Sequence, residues 1–133
     1  MSNRIFGSIF PHEDFRKYDK QTTDATVTTV VPIALAEGDT CFVLAKAYVT
    51  NDDGSKVGCF YIGGLFSRAS AGNVTQEGST QDIYAEYTEG STINLTLAAD
   101  TENQTIDCNV TGEVGETFDW TVEVQENMIV RPS

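Results

Sequence analysis

Three stretches in the second half of the chain alternate apolar and polar side chains with a strict period of two. Ile93, Leu95 and Leu97 alternate with Thr92, Asn94 and Thr96. Ile106, Cys108 and Val110 alternate with Asp107 and Asn109, and Phe118, Trp120, Val122 and Val124 alternate with Asp119, Thr121 and Glu123. Period two sends successive side chains to opposite faces, so each stretch reads as a half-buried strand. Turn residues separate them, at 99–104 and again at the glycine-bearing 112–117. Strands of this kind cannot bury their apolar faces singly. Joined by short turns, they specify an all-β chain, an antiparallel β-sandwich or jelly-roll-like domain.

The same reading extends upstream. Residues 25–31 are rich in Thr and Val, and Pro32 ends the strand or places it at an edge. In the strand at 40–50, Cys41, Val43, Ala45, Ala47 and Val49 form a small apolar face directed at the core. Phe42, Leu44, Lys46 and Tyr48 form an amphipathic face open to a partner or to the N-terminal segment. Asn51-Asp52-Asp53-Gly54-Ser55 is a turn, and residues 56–68 return as a long strand apolar on both faces. A hairpin here sets Cys59 opposite Ala47 and Cys41 near Leu65. Gly63-Gly64 marks a bulge or a close approach by another backbone. The second covered face implies a subunit contact through Phe60, Ile62, Gly63, Gly64 and Phe66. Residues 69–80 read as a loop with a short strand at 73–76, and 82–88 as a strand with Ile83, Ala85 and Tyr87 on one side.

The 133 residues suit one body, residues 23–133, preceded by an extended arm at 1–22. The arm carries Ile5, Phe6, Ile9, Phe10, Phe15 and Tyr18, too many large apolar groups for a free tail. They pack either on their own body or, as the docking-arm reading prefers, on another protein. Phe15 and Tyr18 share a face if a short helical turn follows Pro11.

Charge separates the arm from the body. Residues 1–20 hold four of the eight basic side chains against three acids, whereas the remainder holds the other four against 17 acids. A net charge of −12 excludes nucleic-acid binding, which needs a basic face. No apolar run is long enough to span a membrane. The expected cofactor and metal complement is none. A single His, His12, leaves no room for triad chemistry, and three Cys without C-x-x-C spacing do not form a zinc site. Cys41, Cys59 and Cys108 read as buried, reduced thiols, and the absence of a secretory signal agrees with assembly in a cytoplasm. The four N-x-T sequons at Asn73, Asn94, Asn103 and Asn109 read as chance matches in a Thr-rich chain.

Each candidate site also has a plainer reading. Asp52 and Asp53 with Asn51 offer oxygen ligands for calcium, but an Asx turn needs no metal. Glu86 with Glu89, or Asp100 with Glu102, offers a carboxylate pair without the defined separation that glycoside hydrolysis requires. Tyr48, Tyr61, Tyr84 and Tyr87 suit a sugar-stacking face and equally an ordinary core. Trp120 reads as a core anchor. No catalytic residue is assigned, so the chain is expected to be non-enzymatic.

Two stretches carry a family resemblance: Asn109-Val110-Thr111-Gly112 followed by Phe118-Asp119-Trp120-Thr121-Val122-Glu123-Val124, and Lys56 through Arg68. Together they resemble small tailed-phage virion β-sandwich proteins of the capsid decoration (cement) or tail-fibre-tip type. The resemblance covers roughly residues 40–125. It implies a virion structural protein, commonly a homotrimer. The first expectation is a decoration protein that binds the major capsid protein of the assembled shell and stabilises it. The alternative is a tail-associated receptor-binding module that recognises host surface polysaccharide. A carboxylate hydrolase is the third.

Overall fold

The computed structural model describes residues 14–129. Eight strands run in chain order: β1 (Arg16–Thr22), β2 (Val27–Ala34), β3 (Thr40–Asn51), β4 (Val57–Arg68), β5 (Val74–Tyr87), β6 (Asn94–Asp100), β7 (Thr105–Thr111) and β8 (Phe118–Met128). They form two antiparallel sheets, one ordered β1-β8-β3-β4-β5 and the other β2-β7-β6. The chain is the all-β sandwich that its alternation predicts. Its first and last strands are neighbours, as in a jelly roll, while β3, β4 and β5 form a plain meander.

The core lies between the sheets. Cys41, Val43, Ala45, Ala47 and Val49 of β3 meet Ile106, Cys108 and Val110 of β7, Leu95 and Leu97 of β6, and Phe118, Trp120, Val122 and Val124 of β8. All these side chains are buried, as their period-two placement dictates. Pro32 sits inside β2, which is an edge strand, so its missing N–H faces no neighbour that needs it.

The β3–β4 register differs by one residue from the expected one. Cys59 stands opposite Tyr48, and Cys41 opposite Phe66. The cause is the turn. Asn51 Oδ1 accepts from the Lys56 N–H, its Nδ2 donates to Ser55 Oγ, and Gly54 adopts φ +76°. This closes the hairpin one residue later. A one-residue slip exchanges the faces of a strand. Phe60, Ile62 and Phe66 therefore fill the chain's own core at 0–3% exposure, with Gly64 beside them against Leu97. These four are spent within one sandwich and do not offer the subunit contact read from sequence. Gly63 lies on the opposite face, under the Phe42 ring. The expected bulge is present, as a register shift between Gly63 and Leu65 in the pairing with β5.

Two further expectations change. The short strand expected at 73–76 is the start of the 14-residue β5, which runs on through Gly78 at φ +75° where the sequence reads as loop up to residue 80. An edge strand needs no apolar face, so its sequence carries no period. The register shift between Tyr61 and Ile62 leaves Ile83 without a partner on β4. Near the N-terminus, Arg16–Thr22 is sheet rather than arm. Tyr18 packs against the core, and Phe15 lies three residues away, where strand alternation sends it to the other face. Ile5, Phe6, Ile9, Phe10 and His12 lie outside the described residues.

Candidate functional site

The three-stranded sheet covers only one face of the five-stranded sheet. The other face is built from alternate residues of β3, β4 and β5. Antiparallel pairing sets Phe42 beside Leu65, Lys46 beside Tyr61, Tyr48 beside Cys59 and Tyr61 beside Tyr84. Tyr48 and Tyr84 are about half exposed, at 45% and 52%, and Phe42 and Leu65 each keep 40%. Gly63 lets Phe42 and Leu44 lie across it. A Cβ there would meet Phe42 Cζ at 3.1 Å and Leu44 Cδ2 at 3.2 Å.

Lys46 occupies the middle of the face. Its ammonium lies 4.3 Å from the Phe15 ring centroid and 5.1 Å from that of Tyr61. Both distances fall in the range where a cation is attracted to an aromatic face. Three of the four tyrosines considered from sequence thus converge here: Tyr48, Tyr61 and Tyr84. Tyr87 points the other way and stacks on Phe60, with ring centroids 5.7 Å apart, and Phe60 in turn stacks on Trp120. At the end of β4 and β5, an open groove of about 400 Å³ is lined by Val57, Gly58, Cys59, Glu86, Tyr87 and Thr88.

The acids weighed for other chemistry serve local structure. Asp53 accepts the Ser55 N–H, and Asp100 accepts the backbone N–H groups of Glu102 and Asn103 and the Asn103 side-chain amide. These hydrogen bonds hold both carboxyls below the usual range. Glu113 is held low chiefly by its hydrogen bond from Lys56, with support from Ser91. Lys56 also reaches Glu116 at 3.4 Å, joining the β3–β4 turn to the β7–β8 loop. No group of three metal-ligating side chains converges among the described residues. Among the sequons, Asn109 is buried and accepts from Thr29 Oγ1.

Cys41 and Cys108 are buried, and desolvation pushes their thiols up to about 11 and about 12. Cys59 departs from the expectation of three buried thiols. The one-residue register places it on the outer face, partly exposed, between Tyr48 and Glu86.

No protein-family model and no curated protein matches the sequence. Solved structures do match. The tailspike protein of Acinetobacter baumannii phage AM24 aligns over 85% of this chain with a TM-score of 0.50 and 11% identity. The tailspike protein of Acinetobacter phage vB_ApiP_P1 aligns over 96% of this chain with a TM-score of 0.47 and 14% identity. The chain spans about a quarter of each tailspike, 26% and 24%. The two-sheet fold is therefore one that also occurs within a phage tailspike.

Proposed function

We propose that the chain is a non-enzymatic, tail-associated bacteriophage module that binds host surface polysaccharide through the outer face of its five-stranded sheet. The observation that carries this reading is the convergence of Tyr48, Tyr61 and Tyr84 on one face around Lys46, with Tyr48 and Tyr84 about half exposed. Tyrosine presents an apolar ring to the C–H face of a sugar and a hydroxyl to its polar edge.

The fold shared with a stretch of a tailspike supports a tail location over a head location. The decoration reading rests on an N-terminal docking arm, most of whose apolar residues lie outside the described ones. Of the acids paired in the hydrolase reading, Asp100 is held low by hydrogen bonds from Asn103 and Glu102, which suits a turn and not a proton donor.

The test is a glycan array followed by titration calorimetry with purified capsular and lipopolysaccharide fractions of the host. The expected result is binding that falls at least about tenfold in Tyr48→Ala/Tyr84→Ala, roughly 1.4 kcal/mol, with the near-ultraviolet signal of Trp120 unchanged. Absence of binding by the wild-type chain at several hundred micromolar, or undiminished binding by the double variant, overturns the reading.

A further inference from the structure

The five-stranded sheet ends in two strands of opposite charge. β1 carries Arg16, Lys17 and Lys20 against one acid, Asp19. β5 carries Glu77, Asp82 and Glu86 and no basic residue. All six charged side chains that distinguish the two edges are exposed. No ion pair among the described residues engages any of them. Three of the chain's eight basic residues thus stand on one seven-residue edge strand of an otherwise acidic molecule.

Among the described residues, neither edge pairs with a further strand. Lysines on an edge strand are a known protection against unwanted pairing, and they account for β1 by itself. They do not account for β5. That strand is 14 residues long, lacks Lys and Pro, and leaves Ile83 and Tyr87 about half exposed at 53% and 50%. An edge of this length and apolarity is one that a folded protein normally covers.

Strand direction allows one edge to cover the other. Every neighbouring pair in the sheet is antiparallel, and β1 and β5 are four steps apart, so they run the same way. A second copy rotated about an axis along the strands brings its β1 alongside β5 without reversal.

We propose that β5 of one copy docks against β1 of the next through Glu77, Asp82 and Glu86 on one side and Arg16, Lys17 and Lys20 on the other. The contact joins two different surfaces of the same chain, so repetition closes a ring when the rotation per copy divides a full turn. Charge complementarity fixes the order of the edges, because β1 against β1 or β5 against β5 sets like charges together. The assembly stands on the edges alone and does not depend on polysaccharide binding.

The experiment is light scattering on the purified full chain from about 5 to 200 µM, an interval that brackets weak symmetric contacts. The chain mass is 14.5 kDa. The expected result is an assembly of several chains, weakened about tenfold or more between 50 and 500 mM salt as screening shortens the reach of the edge charges. Arg16→Glu/Lys17→Glu/Lys20→Glu and Glu77→Lys/Asp82→Lys/Glu86→Lys each yield monomer. Both sets combined in one chain restore the assembly, because the complementarity is then reversed rather than lost. The near-ultraviolet circular dichroism of Trp120 checks folding, and the milder Lys17→Gln/Lys20→Gln replaces the first set if that set fails to fold. A wild-type monomer throughout the range, unchanged mass in a folded single-edge variant, or a folded combined variant that stays monomeric overturns the proposal.

Discussion

The indole N–H of Trp120 donates to Thr22 Oγ1 at 3.0 Å, a buried bond between residues 98 positions apart. It ties the end of β1 to the second ring of the Phe60–Trp120 stack. Both partners are at most 4% exposed, so water does not replace the hydroxyl if it is removed. Thr22→Val keeps the shape and orphans the indole N–H. The expected cost is about 1–3 kcal/mol, read as a lower urea midpoint followed by Trp120 fluorescence. Thr22→Ser restores most of it.

The same corner contains a glycine without room for a side chain. A Cβ on Gly112 would lie 2.5 Å from Thr22 Oγ1 and 2.7 Å from the Asp24 carbonyl oxygen. The second contact is backbone and cannot rotate away. Gly112→Ala should destabilise by about 1–3 kcal/mol, the range for overpacking. Gly63→Ala meets only the ring tip of Phe42 and the end of Leu44, both able to move, and should cost less. Parallel urea titrations of the two variants decide the order.

The Lys56–Glu113–Glu116 cluster gives stability a defined pH dependence. Glu113 is held below its ordinary range, so its contribution is present above the unfolded-state pKa and is lost as pH falls through the lower folded value. Lys56 is held above its ordinary range, chiefly by the Glu113 hydrogen bond, so its contribution is present below the unfolded-state pKa and is lost as pH rises through the higher folded one. Glu113→Gln should therefore lower the urea midpoint at neutral pH. The wild-type and variant midpoints should converge below the carboxylate range. A gap that persists in strong acid would mean that the variant acts through packing.

Period two made the core legible. Trp120, Cys108 and Leu97 lie where alternation puts them, because a half-buried strand writes its burial into its sequence. Two kinds of information were missing. Strand β4 is apolar on both faces, so nothing within it distinguishes the face of Phe60 from that of Tyr61; the hydrogen bonds of Asn51 in the adjoining turn decide. Strand β5 is an exposed edge, so residues 77–80 carry no pattern and read as a loop after the short strand at 73–76. The tyrosine face followed the same division. Alternation puts Tyr48 on the non-core side of β3 and Tyr84 on the side opposite Tyr87, whereas which of these two faces outward follows only from their pairing with Tyr61 and Gly58.

The register at β4 also makes a prediction about thiols. Had Cys59 stood opposite Ala47, it would share the face of Val43 and Val49 and be sealed in the core. It stands opposite Tyr48, on the outer face, and is partly exposed. Cys41 and Cys108 are sealed, and desolvation pushes their thiols up to about 11 and about 12, so their thiolate fractions at neutral pH are very small. A disulfide reagent at pH 8 should modify one thiol per native chain quickly and the other two only after unfolding. Cys59→Ser should abolish the fast phase and leave the two slow ones. A Cys59 that stays protected in the folded protein would contradict the β3–β4 register, since only the alternative pairing turns Cys59 into the core.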